Sequence, residues 1–324
     1  MLTIFVPGAS GLLASDAAPG SELPAEAVWI DLREPTPEEE HRVEASLGID
    51  VPTREEMQEI EASNRFHEDN GSLYMTATLV TKLDTDLPVR TQVTFILTGS
   101  KLVTNRYMDP LPFRRFIAFS ATHPVPAPCG ATVLAGLLEA IVNRIADVLE
   151  KVGTDVDSIS SEVFSRSREK HPAPPDFRNA LERIGQSGEL VSKASESLVS
   201  LTRLLGFARQ STGPQIPQEA RARLQTLSRD VLAMSDHSSF LGDKVQFVLD
   251  ATLGMVSIDQ NNILKIFSVV AVFLLPPSVV TGFYGTNFEH IPWLHATWGP
   301  WAGLGMMIVS AILPYLYFKR RGWL

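Results

Sequence analysis

The stretch "KIFSVVAVFLLPPSVVTGFYGTNFEHIP", residues 265–292, decides the fold. After Lys265 no charged residue occurs from Ile266 to Phe283, and a second uncharged stretch runs from Trp298 to Phe318. About 20 apolar residues rising ~1.5 Å each cross the ~30 Å hydrocarbon layer of a bilayer. At 18 and 21 residues, both stretches meet that length, whereas two buried core helices would rarely stay uncharged for so long. Between them stands a polar triplet, Gly285-Thr286-Asn287. Either it lets the chain turn outside a membrane, or it supplies ligands at the mouth of a pore.

The flanks give an orientation. Lys265 precedes the first stretch, Lys319, Arg320 and Arg321 follow the second, and residues 284–297 hold no Lys or Arg. The positive-inside rule then puts both ends in the cytoplasm and the short connection outside, so the spans form a hairpin. Overall composition, 44% hydrophobic with a formal net charge of −9 over 324 residues, would by itself suit an ordinary globular protein. The start, "MLTIFVPGAS", lacks the basic region of a signal peptide, so the polar bulk is expected to stay in the cytosol. Cys129 is the single cysteine, which excludes an intrachain disulfide and any CxxC zinc or redox site. No P-loop, HExxH or GxSxG occurs, so neither an enzyme nor an ATP-driven pump is expected, and no organic cofactor or nucleic-acid partner is implied.

Strand signals lie at "LTIFV", "AVWIDL", "SLYMTATLVT", "TQVTFILT" and "KLVTNRY", with a helix capped by "TPEE" from Thr36 between them. Three long helical patterns follow, near 130–168, 176–210 and from 217 onward, broken at "REKHPAPPD" and "STGPQIP". The expected layout is a cytoplasmic α+β domain (1–125), a cytoplasmic helical region with a long stalk helix (126–265), a first span (266–283), an outer loop (284–297), a second span (298–318) and a basic cytoplasmic tail (319–324).

No breaker interrupts the chain from Gln218 to Leu275, so the stalk is expected to continue into the first span. Leu224, Leu227, Val231, Met234, Ser238, Leu241, Val245, Val248, Thr252 and Met255 repeat at alternating steps of three and four, a heptad seam. A second row on another face, Asp243, Phe247, Asp250, Gly254, Ser257, Asn261, Leu264, Ser268, Ala271, Leu275, Ser278, Gly282 and Gly285, is mostly small or polar. Lipid would not select such small and polar residues, whereas a bundle interior or water-filled path would. One hairpin cannot enclose a path, so a pore needs several copies; close packing of two helices is the plainer alternative. Pro276 and Pro277 remove two backbone donors within the span, which suits a kink as well as carbonyls turned to water.

A ring of Asn287 amides, Thr286 hydroxyls and Gly285 carbonyls would offer many oxygens without fixed charge. Mg²⁺ holds its waters tightly and is most easily recognised through them, and a fully charged ring would release it too slowly. Leu264 and Leu275 could close such a path by dewetting, and Asn261 would stand near its inner mouth. Taken alone the triplet is weak, since Gly and Asn are ordinary turn residues.

With the hairpin, the closing "PYLYFKRRGWL", and "AVWIDLREP", "EIEASNRF" and "DKVQFVLDATLGMVSIDQNN", the whole chain resembles the bacterial branch of the CorA family of magnesium transporters, whose signature is Gly-Met-Asn after the first span. The resemblance implies a homopentameric funnel in the bacterial inner membrane, with the first span lining the pore. It implies Mg²⁺ influx with Co²⁺ and Ni²⁺ as secondary ions, and intracellular Mg²⁺ as regulatory ligand. By position it implies a selectivity ring at Gly285, Thr286 and Asn287, pore-lining roles for Asn261, Leu264, Leu275 and Ser278, and a constriction at Phe267, which lies off the polar row. Thr286 replaces the signature Met, and Trp293 replaces an acidic loop residue. Glu289 remains at the outer mouth to attract cations, while His290 and His295 are ligands better suited to Zn²⁺, Ni²⁺ or Co²⁺. A Zn²⁺ or other transition-metal transporter, proton-coupled or not, is therefore the alternative, and a membrane-anchored sensor or scaffold a third reading. Asp236, Asp243 and Asp250 repeat at sevens with Asp230 beside them. The resemblance makes them candidates for the regulatory site, one facing Asp84 or Asp86 across a subunit boundary; otherwise they form a solvated face.

Overall fold

The computed structural model describes residues 1–16, 22–59, 61–82, 88–125, 127–165, 176–211, 216–286 and 296–321. In chain order its elements are β1 (Leu2–Pro7), β2 (Leu12–Asp16), β3 (Trp29–Arg33), α1 (Pro37–Leu47), α2 (Ala62–Arg65), β4 (Phe66–Asp69), β5 (Ser72–Thr81), β6 (Val89–Thr98) and β7 (Lys101–Arg106). The helices α3 (Leu111–Thr122), α4 (Gly130–Ser165), α5 (Phe177–Gln210), α6 (Gln218–Tyr284) and α7 (Gly299–Arg320) follow. Two compact units emerge, Met1–Asp250 and Ala251–Leu324.

In the first unit the strands make one seven-stranded sheet in the order β2-β1-β3-β7-β6-β5-β4. Only the central β3–β7 pair is parallel; the other neighbours are antiparallel. Both faces are covered, so β5 is buried at every position, its polar Ser72, Thr76, Thr78 and Thr81 included. Period-two alternation sorts β3: Ile30 and Leu32 pack with Val43 of α1, Ile96 and Val103 on one face. Trp29 points the other way and stacks on Phe5 at 4.1 Å, with Phe113 and Phe116 of α3 at 6.5 and 5.8 Å.

The helix expected at Thr36 forms with its full capping box: the Thr36 hydroxyl accepts from the Glu39 amide while the Glu39 carboxylate accepts from the Thr36 amide. It ends at Gly48, whose φ of 65° needs a residue free of a β-carbon clash. Four elements had no counterpart in the sequence expectation: β2, β4, the short α2, and α3. α3 is stapled down by Phe113 and Phe116 rather than by a long apolar period, and β2 and β4 are short edge strands that borrow their register from β1 and β5.

A buried polar chain crosses the central strands. The Trp29 indole donates to Thr104 at 2.9 Å, Thr104 donates to Asp31 at 2.7 Å, and Arg106 grips Asp31 through Nε at 3.0 Å and Nη2 at 2.7 Å. Arg106 also reaches Asp109 at 2.6 Å and the Met108 carbonyl at 3.0 Å. Burial opposes its charge, but hydrogen bonds and attraction from Asp31 and Asp109 outweigh that, so its pKa stands above the usual arginine value.

The heptad seam packs as its period requires within this unit. Leu224, Leu227, Val231, Ser238, Leu241, Val245 and Val248 are buried, and Met234 is half-buried. Each buried Leu or Val contributes about 1.5–3 kcal/mol relative to exposure. Small residues on the neighbouring helices admit the seam closely: a β-carbon on Gly188 of α5 would lie 3.5 Å from Val245, and Gly153 of α4 faces Leu241. The polar position in the seam is satisfied, Ser238 meeting Ser195 at 2.7 Å.

Candidate functional site

The second unit holds the membrane-competent segments. The most apolar 18-residue windows of α6 and α7 reach mean hydropathies of 2.2 and 1.6, and almost none of either window is buried. Two helices this apolar and this exposed need a solvent other than water.

Within the unit α6 shows two faces. Val269, Val272, Phe273, Pro276, Val280 and Tyr284 are half-buried and recur at helical spacing, the stripe turned to α7. Phe273 meets Tyr315 of α7 with ring centroids 6.1 Å apart, and the Thr281 hydroxyl lies 3.6 Å from the Met307 sulfur. α7 answers with small residues: Gly299 and Gly303 are buried, and Ala302 and Ala311 half-buried.

At about 100° per residue, Leu264, Ala271, Leu275, Ser278 and Gly282 fall on the side of α6 opposite Phe273. All five are exposed, as are Asn261, Ser268 and Gly285. The polar row is thus the face of α6 that α7 leaves uncovered. Phe267 is also exposed and lies about 120° from Phe273, within about 20° of Ser278. Leu264, Leu275 and Ser278 share that face, and Asn261 and Phe267 stand on its two flanks, each about 120° from Phe273.

The chemistry of that face is set by backbone geometry. Ser268 and Ser278 donate to the carbonyls of Leu264 and Leu274 at 2.8 and 2.7 Å, so their remaining lone pairs are free to accept from water. Pro276 and Pro277 lie inside α6; lacking N–H groups, they leave the carbonyls of Val272 and Phe273 without their usual helical donors. At the top of α6 the Gly285 amide donates to Thr281 at 2.9 Å and the Thr286 hydroxyl to Phe283 at 2.7 Å, closing the last turn. Asn287, Glu289, His290 and His295 lie outside the described residues, as do Asp84 and Asp86.

Asp230, Asp236 and Asp243 are exposed on α6. Asp230 borders a groove of about 450 Å³ between α4 and α6, beside Glu139, Asn143 and Arg223. Among the described residues no three His, Cys, Asp or Glu side chains are grouped closely enough to hold a metal ion. In one chain these aspartates are isolated acceptors, each two turns from the next.

A family model described as CorA-like Mg²⁺ transporter protein matches residues 24–320. The magnesium transport protein CorA of Haemophilus influenzae (strain ATCC 51907) is 31% identical over 298 residues, 92% of each chain. That of Pasteurella multocida is 32% identical over the full length of both. Among solved structures, the complete CorA magnesium transporter from Methanocaldococcus jannaschii superposes with a TM-score of 0.78 at 20% identity, covering 100% of this chain and 99% of that one; at that identity the likeness speaks for the fold alone.

Proposed function

The chain belongs to the CorA-like Mg²⁺ transporter family, and on that premise we propose that it carries Mg²⁺ across a membrane as a passive channel built from five copies. The observation that carries this reading is the uncovered face of α6. Asn261, Leu264, Leu275, Ser278 and Gly282 are exposed on the side away from α7, so copies of α6 placed face to face would enclose a path lined by hydroxyls, an amide and two leucines, with α7 outside.

Gly285, Thr286 and Asn287 form the outer selectivity ring, holding Mg²⁺ through its water shell, and Glu289 concentrates cations at the mouth. Leu264 and Leu275 are the apolar constrictions. Intracellular Mg²⁺ bound by Asp230, Asp236 or Asp243 against Asp84 or Asp86 of a neighbouring copy holds the assembly closed; its loss releases charge repulsion and shifts the balance towards opening. The protein resides in the bacterial inner membrane with both termini in the cytoplasm, and Co²⁺ and Ni²⁺ are secondary ions.

The test is Mg²⁺ entry into liposomes holding the purified protein, wild type against Asn287→Ala, at fixed pH and with Zn²⁺ as competitor. Fast wild-type entry that the substitution abolishes is the expected result. Zn²⁺ entry without Mg²⁺ entry would reassign the cargo, and indifference of every flux to Asn287→Ala would remove the ring from the mechanism.

A further inference from the structure

The cytoplasmic end of α7 carries three consecutive cations, Lys319, Arg320 and Arg321, and two of them are folded back along the helix. The Lys319 ammonium lies 5.7 Å from the ring centre of Tyr315, and the Arg321 guanidinium 5.8 Å from that of Tyr317. Both rings are exposed, 41% for Tyr315 and 57% for Tyr317. A cation held over an aromatic one turn earlier gains from the ring's electron-rich face. It also stands at the depth of the tyrosine belt, where lipid headgroups lie, rather than reaching into the cytosol. Among the described residues of this unit the only acidic side chain is Asp259, on α6, and none of the three cations forms an ion pair with a described carboxylate. Their charges are therefore arranged and left for an outside anion.

The same tyrosine touches the transport helix. Tyr315 packs on Phe273, the residue whose carbonyl loses its donor to Pro277. Lys319, Tyr315 and Phe273 thus form a continuous row from the headgroup level to the weakest backbone segment of α6. We propose that the phosphate of an anionic phospholipid seats on Lys319, Arg320 and Arg321, and that its occupancy, relayed through Tyr315 to Phe273, sets how readily α6 rearranges at Pro276–Pro277. Plain topology accounts for basic residues at an inner membrane end; it does not account for two cations turned back over rings, one of which abuts the pore helix.

The effect on transport rests on the Mg²⁺ channel reading, but the headgroup seat does not, and the experiment separates them. Full-length protein is reconstituted in phosphatidylcholine vesicles containing 0 to 30 mol% phosphatidylglycerol, on the order of a natural anionic content. Spin-labelled lipids report which headgroup the protein retains, and an internal Mg²⁺ dye reports entry. Wild type should retain phosphatidylglycerol over phosphatidylcholine by about threefold or more, since each basic group near an anionic surface favours it severalfold, and its Mg²⁺ entry should change with phosphatidylglycerol content. Lys319→Gln/Arg320→Gln/Arg321→Gln should bring the retention ratio close to one and reduce the lipid dependence of entry to the part that general attraction of Mg²⁺ to the bilayer supplies; Lys319→Arg should preserve both. Tyr315→Leu should keep the retention and reduce the dependence to that same part. The triple variant also controls for the general attraction of Mg²⁺ to a charged bilayer, which it shares with wild type. Equal phosphatidylglycerol retention by wild type and triple variant overturns the seat, and a lipid dependence in Tyr315→Leu that stays at the wild-type level, above that of the triple variant, overturns the relay. Absence of Mg²⁺ entry in every vesicle would instead sink the channel reading, with the retention ratio still deciding the seat.

Discussion

Replacing Asp31 by Ala should destabilise the first unit by about 3–5 kcal/mol, the range for removing one partner of a buried ion pair. The side chains of Asp31 and Arg106 are 4% and 2% exposed, so neither charge has water to fall back on. Asp31 accepts from Arg106 Nε and Nη2 and from Thr104. A hydrogen bond to a charged group contributes about 1.5–3 kcal/mol, so losing the two from Arg106 alone reaches the same range. The loss is held below complete unfolding because Nη1 keeps Asp109 and the Met108 carbonyl. For a unit of this size each kcal/mol moves Tm by about 2–4 °C, which puts the expected fall at roughly 6–20 °C. Circular dichroism of the full chain in detergent measures it. Asp31→Ala/Arg106→Met, which removes the stranded charge as well, should recover a substantial part of the loss. A single variant within ~1 kcal/mol of wild type, or a double variant no better than the single, would refute the view that an unpaired buried charge sets the cost.

Burial, with repulsion from Glu44, Glu56 and Asp69, pushes the Asp50 carboxyl above its usual range. An acid whose folded pKa is raised costs stability when ionised, above that pKa, and costs nothing once protonated in both states. Asp50→Asn should therefore raise Tm at neutral pH, and the gain should decline as pH falls through the folded pKa of Asp50 and vanish below its unfolded value; a gain independent of pH would contradict this. Ser238→Ala should cost about 1 kcal/mol by stranding the Ser195 hydroxyl, and adding Ser195→Ala should cost less than the sum of the two single changes, as denaturant titration would show. Leu275→Ser should raise Mg²⁺ entry at high internal Mg²⁺ by wetting the constriction; unchanged liposome flux would remove Leu275 from the gate.

Much of this architecture was legible because its signals were periodic. The seam from Leu224 to Val248 spells out its own buried face, and the polar row on α6 could be traced because lipid tolerates so few serines and glycines. Other features arise only when distant segments meet. The Asp31–Arg106 pair joins residues 75 positions apart, and neither "WIDLR" nor "KLVTNR" shows that its charge will be enclosed. The carboxylates proposed to sense Mg²⁺ carry no grouping in one chain, since a site shared between copies has no pattern along either of them.

The parallel pairing of β3 with β7 also governs how the protein is made. Arg106 leaves the ribosome about 4–15 s after Asp31, at 5–20 residues per second. In that interval β1 and β3 can pair, yet the middle of the sheet must wait, with Trp29 lacking the Thr104 oxygen and one edge of β3 open. β5, β6 and β7 form a local meander and can assemble as soon as they emerge, so the sheet is completed by docking two separately born halves along β3 and β7. During synthesis, the polar chain that later locks the fold is the last part of the sheet to find its partners.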